Sequence, residues 1–503
     1  MKLKQATEII IDIENLVPVD QIEFKDIKIW PLIRSEIWKQ LTNPVKERSS
    51  LESSASTNKN YFEKIISKIL RVFTYTKYSL FKKKQKQKQV IFLPSPNNRW
   101  EKVNGQYLKP FSNSLQDILR EMKIKSIILN YSSTNPKPLY GNFYHIRKEI
   151  EHAHSTQRIL LLLEKIFNLN KKPSKVYHWD TLIKFISFKY PILSLDKQSI
   201  IDQTNNIISY EKIFKKIFKK IKPKLCFLIC YYCPINMGYI KACRSLGIKS
   251  VEIQHGQQGD FHGMYTHWTK LPQNGYELLP SHWWSWGNKS AERINNWSKT
   301  VHPEHQAIVG GNPWIAKNIN QDYKIDDTYI DKLEKILTLK NKINVLVALQ
   351  PIEIPISNTL FEAIKNSPSK INWLIRLHPA MSKQKNEIEQ FLKKTNNKNI
   401  DIDYNYKIPL FNILKRVDFL ITPWSSIAYE ALLFKVHPII IHPNGKDTFT
   451  EYINEGLFTY ADSSQKIINV IETNKNKFIF NEKQYYIEID IFKIKNLLKK
   501  IIK

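Results

Sequence analysis

The residues best placed to do chemistry in this sequence are histidines and hydroxyls that directly follow apolar runs. "INWLIRLHPAMS" ends its apolar stretch in Arg376, Leu377, His378 and Pro379, and "DFLITPWSSIAYEALLF" ends in Ser425 and Ser426, with Glu430 about one turn further on. "INVLVALQP" ends in Gln350. In the first half, "KSVEIQHGQQGDFHG" ends in Gln254, His255 and Gly256 and runs on through Gly259 and Gly263 without a helical pattern. In an open parallel sheet the ligand crevice lies beyond the carboxyl ends of the strands, so these positions are where a phosphate would sit. Imidazole and hydroxyl groups at a helix start, beside backbone N–H groups with no intrahelical partner, suit an anion.

Each residue also has a plainer role open to it. His378, in a turn preset by Pro379, either donates to a phosphate or caps the next helix through its own backbone. Ser425 and Ser426 either face the cleft or serve as ordinary N-caps, and Glu430 either accepts ribose hydroxyls or is solvated. His255 is a general base, a donor to a leaving phosphate or a loop histidine; Gly256 and Gly259 permit close backbone approach to a ligand. His262 and His267 are weaker candidates. The occurrence of two such loops in adjacent units favours the ligand reading over either plain role alone.

The elements that must carry these residues alternate. "VIFLPSP", "KSIILNYSS", "KLCFLICYY" and "KSVEIQHG" read as strands, interleaved with helical "SLQDILREM", "STQRILLLLEKIFNL", "IISYEKIFKKIFKKI" and "NMGYIKACRSLG". A loop-rich aromatic region containing "HWWSWGN" follows, and the alternation then restarts at "INVLVALQP". Such alternation implies parallel strands joined by crossover helices. The chain therefore divides into a mostly helical extension over 1–85 with a linker-like "RSSLESSASTNK", a doubly wound α/β unit over 86–284, a second over 285–480, and a basic C-terminal helix over 481–503. At 503 residues and 42% hydrophobic content, two cores and a cleft are the natural arrangement.

The excess of 77 Lys and Arg over 46 Asp and Glu favours an anionic partner, but the lysines are scattered and match no nucleic-acid motif, so a nucleic-acid module is a remote alternative. The basic "KIFKKIFKKIK" admits contact with an anionic bilayer, against a crossover helix with a solvated lysine face, the reading favoured here. No run approaches the ~18 uncharged apolar residues of a spanning helix. Cys226, Cys230, Cys233 and Cys243 crowd one segment, which fits core and turn residues in a reducing cytoplasm better than a disulfide framework. Acidic clusters with metal-ligand spacing, a Walker loop and a G-x-G-x-x-G after a strand are all missing, so neither a metal nor a cofactor is implied.

The segments "VLVALQP", "RLHP", "TPWSSIAYEAL" and "EIQHG" resemble GT-B-fold glycosyltransferases of bacterial capsule and surface-polysaccharide synthesis, the group with a His-Pro and a Ser-Ser motif in its second domain. It includes polysialyltransferases, capsular Kdo transferases and, more distantly, CDP-glycerol glycerophosphotransferases. The likeness spans residues 225 to 445 in short motifs. It implies two Rossmann-like domains facing across a cleft, the first on the acceptor side and the second binding the nucleotide sugar. His378, Ser425 and Ser426 would then hold the nucleotide phosphates, with Glu430 near the ribose, and Gln350, Arg376 and Pro379 belong to the same nucleotide-sugar site. "VGGNPW", with Gly310, Gly311 and Asn312, looks like the interdomain loop, and Gly311, Asn312 and Gly256 would contact the nucleotide sugar. The implied activity moves a sugar from a CMP-linked acidic sugar or a UDP-sugar to a capsule, lipopolysaccharide or lipid-linked oligosaccharide acceptor, without metal, at the cytoplasmic face of the inner membrane. His255 is the expected base, with Asp260 and Glu101 as the alternatives. A CDP-alditol phosphotransferase and a nucleotide-sugar epimerase are the competing activities.

Overall fold

The computed structural model describes residues 2–42, 88–95, 100–132, 136–152, 155, 175–256, 258–301, 303–320, 331, 334, 337, 342–402, 408–473 and 487–502. The linker at 48–59, the helical signals at 61–73 and most of the helix expected near 155–169 lie outside these residues.

Near the N-terminus, β1 (Glu23–Phe24) and β2 (Ile27–Lys28) form a small hairpin between helices α1 (Leu3–Leu16) and α2 (Trp30–Thr42). The first sheet is built from β3 (Val90–Leu93), β6 (Ser126–Asn130), β7 (Phe143–His145), β8 (Leu225–Leu228), β9 (Lys249–Ile253), β10 (His282–Ser285) and β11 (Gln306–Val309). A second hairpin, β4 (Glu101–Val103) with β5 (Gln106–Leu108), sits between β3 and β6 in the chain. The second sheet comprises β12 (Ile343–Ala348), β13 (Ile371–Arg376), β14 (Ile400–Asp401), β15 (Phe419–Thr422), β16 (His437–Ile440) and β17 (Thr459–Tyr460). Every pairing within both sheets is parallel. The central strands "VIFL", "LCFL", "INVLVA" and "FLIT" are buried at every position, as parallel strands covered on both faces must be.

Strand order fixes where each crevice opens. The first sheet runs β11-β10-β9-β8-β3-β6-β7, so the chain leaves β3 toward β6 and later returns to β8 on the other side. The second runs β14-β13-β12-β15-β16-β17, with the reversal between β12 and β15. Ligands enter such sheets at the carboxyl ends of the strands flanking the reversal. This is the two-domain GT-B arrangement of the sequence reading, with a changed division of the chain. β10 and β11 continue the first sheet in register with β9, so the first unit runs through Val309, and the boundary expected at 284/285 cuts β10. The aromatic "HWWS" is a buried strand because Trp283 and Trp284 fill the two faces of the sheet.

The terminal segments are not appendages. Residues of α1 and α2, among them Ile10, Ile13, Ile33 and Ile37, share one apolar cluster with Ile91, Leu93 and Cys226 of the first sheet. The C-terminal helix Ile491–Ile502 buries Ile494, Leu498, Ile501 and Ile502 against Val90, Phe92 and Phe227, which returns the chain to the first domain. The helix Lys197–Ile221, N-capped by the Asp196 carboxylate, buries Phe214, Ile217 and Phe218 and leaves Lys212, Lys216 and Lys219 exposed, the geometry of a crossover helix. Among the described residues no helix is long and apolar enough to cross a membrane.

One buried ion pair ties α1 and α2 to the segment after β9. Glu14 and Arg34 are fully buried and paired. Glu14 also accepts from Trp30 Nε1 at 2.7 Å and from the Thr269 amide at 2.8 Å, while Arg34 donates to the carbonyls of Gly263 and Thr266, each at 2.7 Å. Removing one member of a satisfied buried pair leaves an uncompensated charge, so Arg34→Met should destabilise the protein by ~3–5 kcal/mol, read as a lowered denaturant midpoint. Adding Glu14→Gln to the Arg34→Met variant should restore part of the loss.

Candidate active site

The second-domain crevice is organised by Gln350 and Trp424. Gln350, two residues past β12, accepts from the Trp424 amide at 2.8 Å, which joins the ends of β12 and β15 across the reversal. The loop so held presents Ser425 and Ser426, both half-buried, ahead of the helix Ile427–Leu433. Ser426 makes no side-chain cap, and Ser425 Oγ lies 3.5 Å from the Ile427 amide, so neither hydroxyl acts as a strong N-cap. On the neighbouring strand, His378 is exposed and its Nδ1 accepts from the Ala380 amide at 3.2 Å, where Pro379 opens a 3₁₀ turn. A neutral ring that accepts at Nδ1 carries its proton on Nε2, so His378 is both a cap and a donor.

Two further second-domain expectations take a different form. Arg376 is buried and donates to the Ile408 carbonyl at 2.9 Å; its guanidinium secures the chain beneath the crevice. It points there because the last residue of a fully buried strand places its side chain inside the fold. Glu430 is half-buried, and its carboxyl is pushed up to about 8 by burial and by the nearby charge of Glu101. Glu101 reaches it from the β4–β5 hairpin, whose Val103 and Leu108 pack into the second domain's cluster beside Leu346, Ala348 and Leu420.

The interdomain loop is closely packed. A Cβ on Gly310 would overlap the Trp284 ring, and Gly311, at φ +74°, would bring one to 2.3 Å from the Glu488 carbonyl. Asn312 is buried, caps the helix Pro313–Ile319 through Ile315 N at 3.1 Å, and donates its own amide to the Glu488 carbonyl. Gly311 and Asn312 thus hold the returning C-terminal strap. By contrast, a Cβ on Gly256 would meet nothing within 4 Å, so open space lies beside that backbone.

In the first domain, His255 follows β9 with its side chain 23% exposed and its imidazole lowered to about 4 by burial. Its Nδ1 has no hydrogen-bond partner and lies 3.9 Å from Glu252 Oε1. His262 stacks on Trp38, with ring centroids 5.4 Å apart, and is also lowered to about 4 by burial. Asp260 is paired with Arg293, which also reaches Glu451 of the second domain at 3.2 Å; Lys289 joins Glu451 from the same helix, Asn288–Ser298. Asp260 therefore anchors an interdomain ion network, its carboxylate already engaged by Arg293. The thiols of Cys230 and Cys233 are raised by burial, Cys233 to about 11, as expected of core residues.

The structure thus gathers Gln350, Ser425 and Ser426 at one reversal with His378 on the adjoining strand, sets Glu101 against Glu430, and leaves His255 at the other sheet's strand ends beside the space at Gly256. Three residues were passed over in the sequence. His442-Pro443 repeats the His-Pro cap after β16, with His442 Nδ1 accepting from Asn444 N at 3.1 Å and its ring 4.5 Å from that of Trp424; the repeated dipeptide was a usable signal. Glu252 sits inside an apolar strand pattern. Lys109 is fully buried over the Trp100 ring, its amine lowered to about 8 by burial, and nothing in its local sequence marks it.

Residues 357–487 match the family model of CDP-Glycerol:Poly(glycerophosphate) glycerophosphotransferase. No curated protein is significantly similar to the chain. Among solved structures, the UDP-GlcNAc 2-epimerase of Methanocaldococcus jannaschii is 13% identical, with 83% of this chain and 100% of that one covered at a TM-score of 0.50. The enzyme of Neisseria meningitidis bound to UDP-GlcNAc is 13% identical over 83% of this chain and 99% of that one, at 0.48. The wall teichoic acid polymerase TagF is 12% identical over 89% and 98%, at 0.43. At 13% identity, the likeness to the Methanocaldococcus jannaschii structure speaks to the fold.

The Glu101–Glu430 pair has a measurable signature. A carboxyl raised in the folded state contributes stability below its ordinary value of 4.5, and that contribution drains away as pH rises to about 8. Between those limits the melting temperature of the wild type should fall relative to that of Glu430→Gln, and Glu101→Gln should flatten the difference.

Proposed function

We propose that this chain is a transferase that takes an activated group from a nucleotide-linked donor seated on the second domain and passes it to a hydroxyl of an acceptor held against the first. The observation that carries the reading is the family match over 357–487, because that stretch contains His378, Ser425, Ser426 and Glu430, the groups that line the second crevice. The transferred group on this reading is an alditol phosphate such as glycerol phosphate, with a surface polymer as acceptor. The acceptor oxygen attacks the outer phosphorus of a CDP-linked donor, the bridging P–O bond breaks, and CMP departs.

His378 Nε2–H, the hydroxyls of Ser425 and Ser426 and the amides after β15 supply hydrogen bonds to the phosphates, and these strengthen as charge moves onto the leaving group. Glu430, about one turn beyond them, would accept from the ribose hydroxyls. His255, neutral across the physiological range, takes the acceptor proton. Neutrality is what a base requires, and it follows from the burial of the ring. Gln350 acts through Trp424 by fixing the loop, and Arg376, Gly311 and Asn312 act through the backbone they hold.

Transfer of a sugar from a nucleotide sugar is the second reading, favoured by the resemblance of the His-Pro and Ser-Ser segments to those of capsule glycosyltransferases. The leaving nucleotide and the mass added to the acceptor separate the two; release of a free isomerised sugar without an acceptor would mark an epimerase instead. We place the reaction at the inner face of the cytoplasmic membrane, where the acceptor is made, and we propose that it needs no metal: the charge on the leaving group is met by helix N-termini, histidine and hydroxyl donors.

CDP-glycerol and a panel of nucleotide sugars should be compared by thermal shift and then by product mass. Stabilisation by CDP-glycerol with CMP release supports the reading, and turnover of nucleotide sugars alone would overturn its phosphotransfer form. Activity should survive EDTA. His378→Ala should weaken donor binding by ~1.5–3 kcal/mol, the range for a charge-assisted hydrogen bond. His255→Ala should lower turnover by roughly 10²–10⁴-fold with donor affinity kept, and an unchanged rate would exclude His255 as the base.

A further inference from the structure

Glu252 is a carboxylic acid placed where an apolar residue would be expected. It lies in β9, fully buried, one residue before the strand ends. Oε1 accepts from the Tyr265 hydroxyl at 2.8 Å and, weakly, from the Tyr231 amide at 3.4 Å. Oε2 makes no hydrogen bond of good geometry, although the Trp283 indole N–H, itself without a partner, and the Cys230 amide face the carboxyl. The nearest imidazole nitrogen, His255 Nδ1, is likewise buried without one and lies 3.9 Å from Oε1. Burying a carboxyl is costly even with such donors around it, and an aliphatic side chain in the strand would need none of them. An imidazole nitrogen without a partner thus stands 3.9 Å from a buried carboxyl three residues back at the strand end, and the two groups are chemically complementary.

We propose that Glu252 is the positioning residue for His255: its carboxylate accepts the Nδ1 proton, fixes the ring's tautomer and turns Nε2 toward the acceptor hydroxyl. This rests on the reading of His255 as the base. The gap of 3.9 Å closes by a small turn of the imidazole, since hydrogen bonds of this kind tighten when substrate binds. During transfer the acceptor O–H gives its proton to Nε2, the Nδ1–H bond is retained, and the imidazolium so formed is stabilised by the carboxylate. Tyr265 and Arg34 keep the pair in place: the first holds Oε1, and the second holds the 263–266 backbone from which Tyr265 projects.

The arrangement makes activity depend on the charge of Glu252, which burial pushes up to about 8. The other titratable side chains around the pair come from β8 and its following turn, the segment after β9, and α2. Cys230, Cys233, Tyr231, Tyr232 and Tyr265 are all raised by burial, and His262 is lowered to about 4. On α2, Arg34 is paired with Glu14 of α1 and Lys39 with Glu36.

The test uses the full chain labelled with ¹⁵N-histidine, the His255 signal being identified by its loss in His255→Gln. In the wild type the ring should shift to the Nδ1–H tautomer as pH rises through about 8; in Glu252→Gln that transition should vanish. Tyr265→Phe, which removes a hydrogen bond to the charged carboxylate, should move the midpoint upward and serves if Glu252→Gln folds poorly. With CDP-glycerol as donor, kcat of the wild type should rise over the same range, whereas Glu252→Gln should lose the rise and run roughly 10²–10⁴-fold slower with donor KM unchanged, and Glu252→Asp should recover part of the rate. Identical ring shifts in wild type and Glu252→Gln, a midpoint unmoved in Tyr265→Phe, or an effect confined to donor KM would overturn the proposal. Failure of the wild type to turn over any nucleotide-linked donor would overturn the proposed function, while the ring shifts would still decide the coupling.

Discussion

The fully buried Glu14–Arg34 pair is the constraint on which the first domain of this protein depends. An ion pair stripped of water is stable only if its remaining hydrogen-bonding capacity is met, and here the partners are supplied by the chain after β9: the carbonyls of Gly263 and Thr266 and the amide of Thr269. Two N-terminal helices are thereby committed to one conformation of a loop about 250 residues away in sequence. Close packing reinforces it, for Gly263 lies so near the Trp38 ring that a Cβ there would come within 2.6 Å of it. His255, His262 and Tyr265 all stand at or on this segment, so these side chains inherit their rigidity from α1 and α2.

The second domain reaches rigidity by a different route. Its crevice is set by parallel register, which places the ends of β12, β13 and β15 side by side, and by the single hydrogen bond from Trp424 N to Gln350 Oε1 across the reversal. Polar side chains there are held by backbone caps, the His378 and His442 rings each accepting from an amide two residues on. The side chain is fixed by the strand end that carries it, and a second layer of ion pairs is unnecessary.

Between these rigid parts the connections are of two kinds. Apolar contacts of the β4–β5 hairpin, and the strap through Glu488 and the C-terminal helix, join the domains permanently. The network of Asp260, Arg293, Glu451 and Lys289 is partly exposed and salt-sensitive, the sort of contact that can open without unfolding either domain. Setting Glu101 opposite Glu430 adds a repulsive element to the same cleft, one that a bound group donating hydrogen bonds would relieve.

Much of this was legible in the sequence, because periodicity and strand ends are local properties. Uninterrupted apolar runs such as "VIFL" and "INVLVA" announce strands buried on both faces, their alternation with helices announces parallel sheets, and the reversal rule puts Gln350, His378, Ser425 and Ser426 at a crevice. His255 was visible for the same reason. What the sequence could not disclose are relations between distant segments. Arg376 reads as a cleft residue until the packing of Ile408 claims it, Asp260 reads as a free acid until Arg293 is brought alongside, and the glycines of "VGGNPW" read as ligand contacts until Trp284 and Glu488 are seen against them. "HWWS" resembles a loop until β9 and β11 flank it, and the boundary between the domains moves with it. Glu252 and Lys109 are ordinary charged residues in a linear reading, and only burial from several sides makes them unusual. Local pattern determines which groups stand at the ends of strands, because that depends on neighbours in the chain; their charge, partners and access to solvent depend on what folds over them, and that was decided by the tertiary structure.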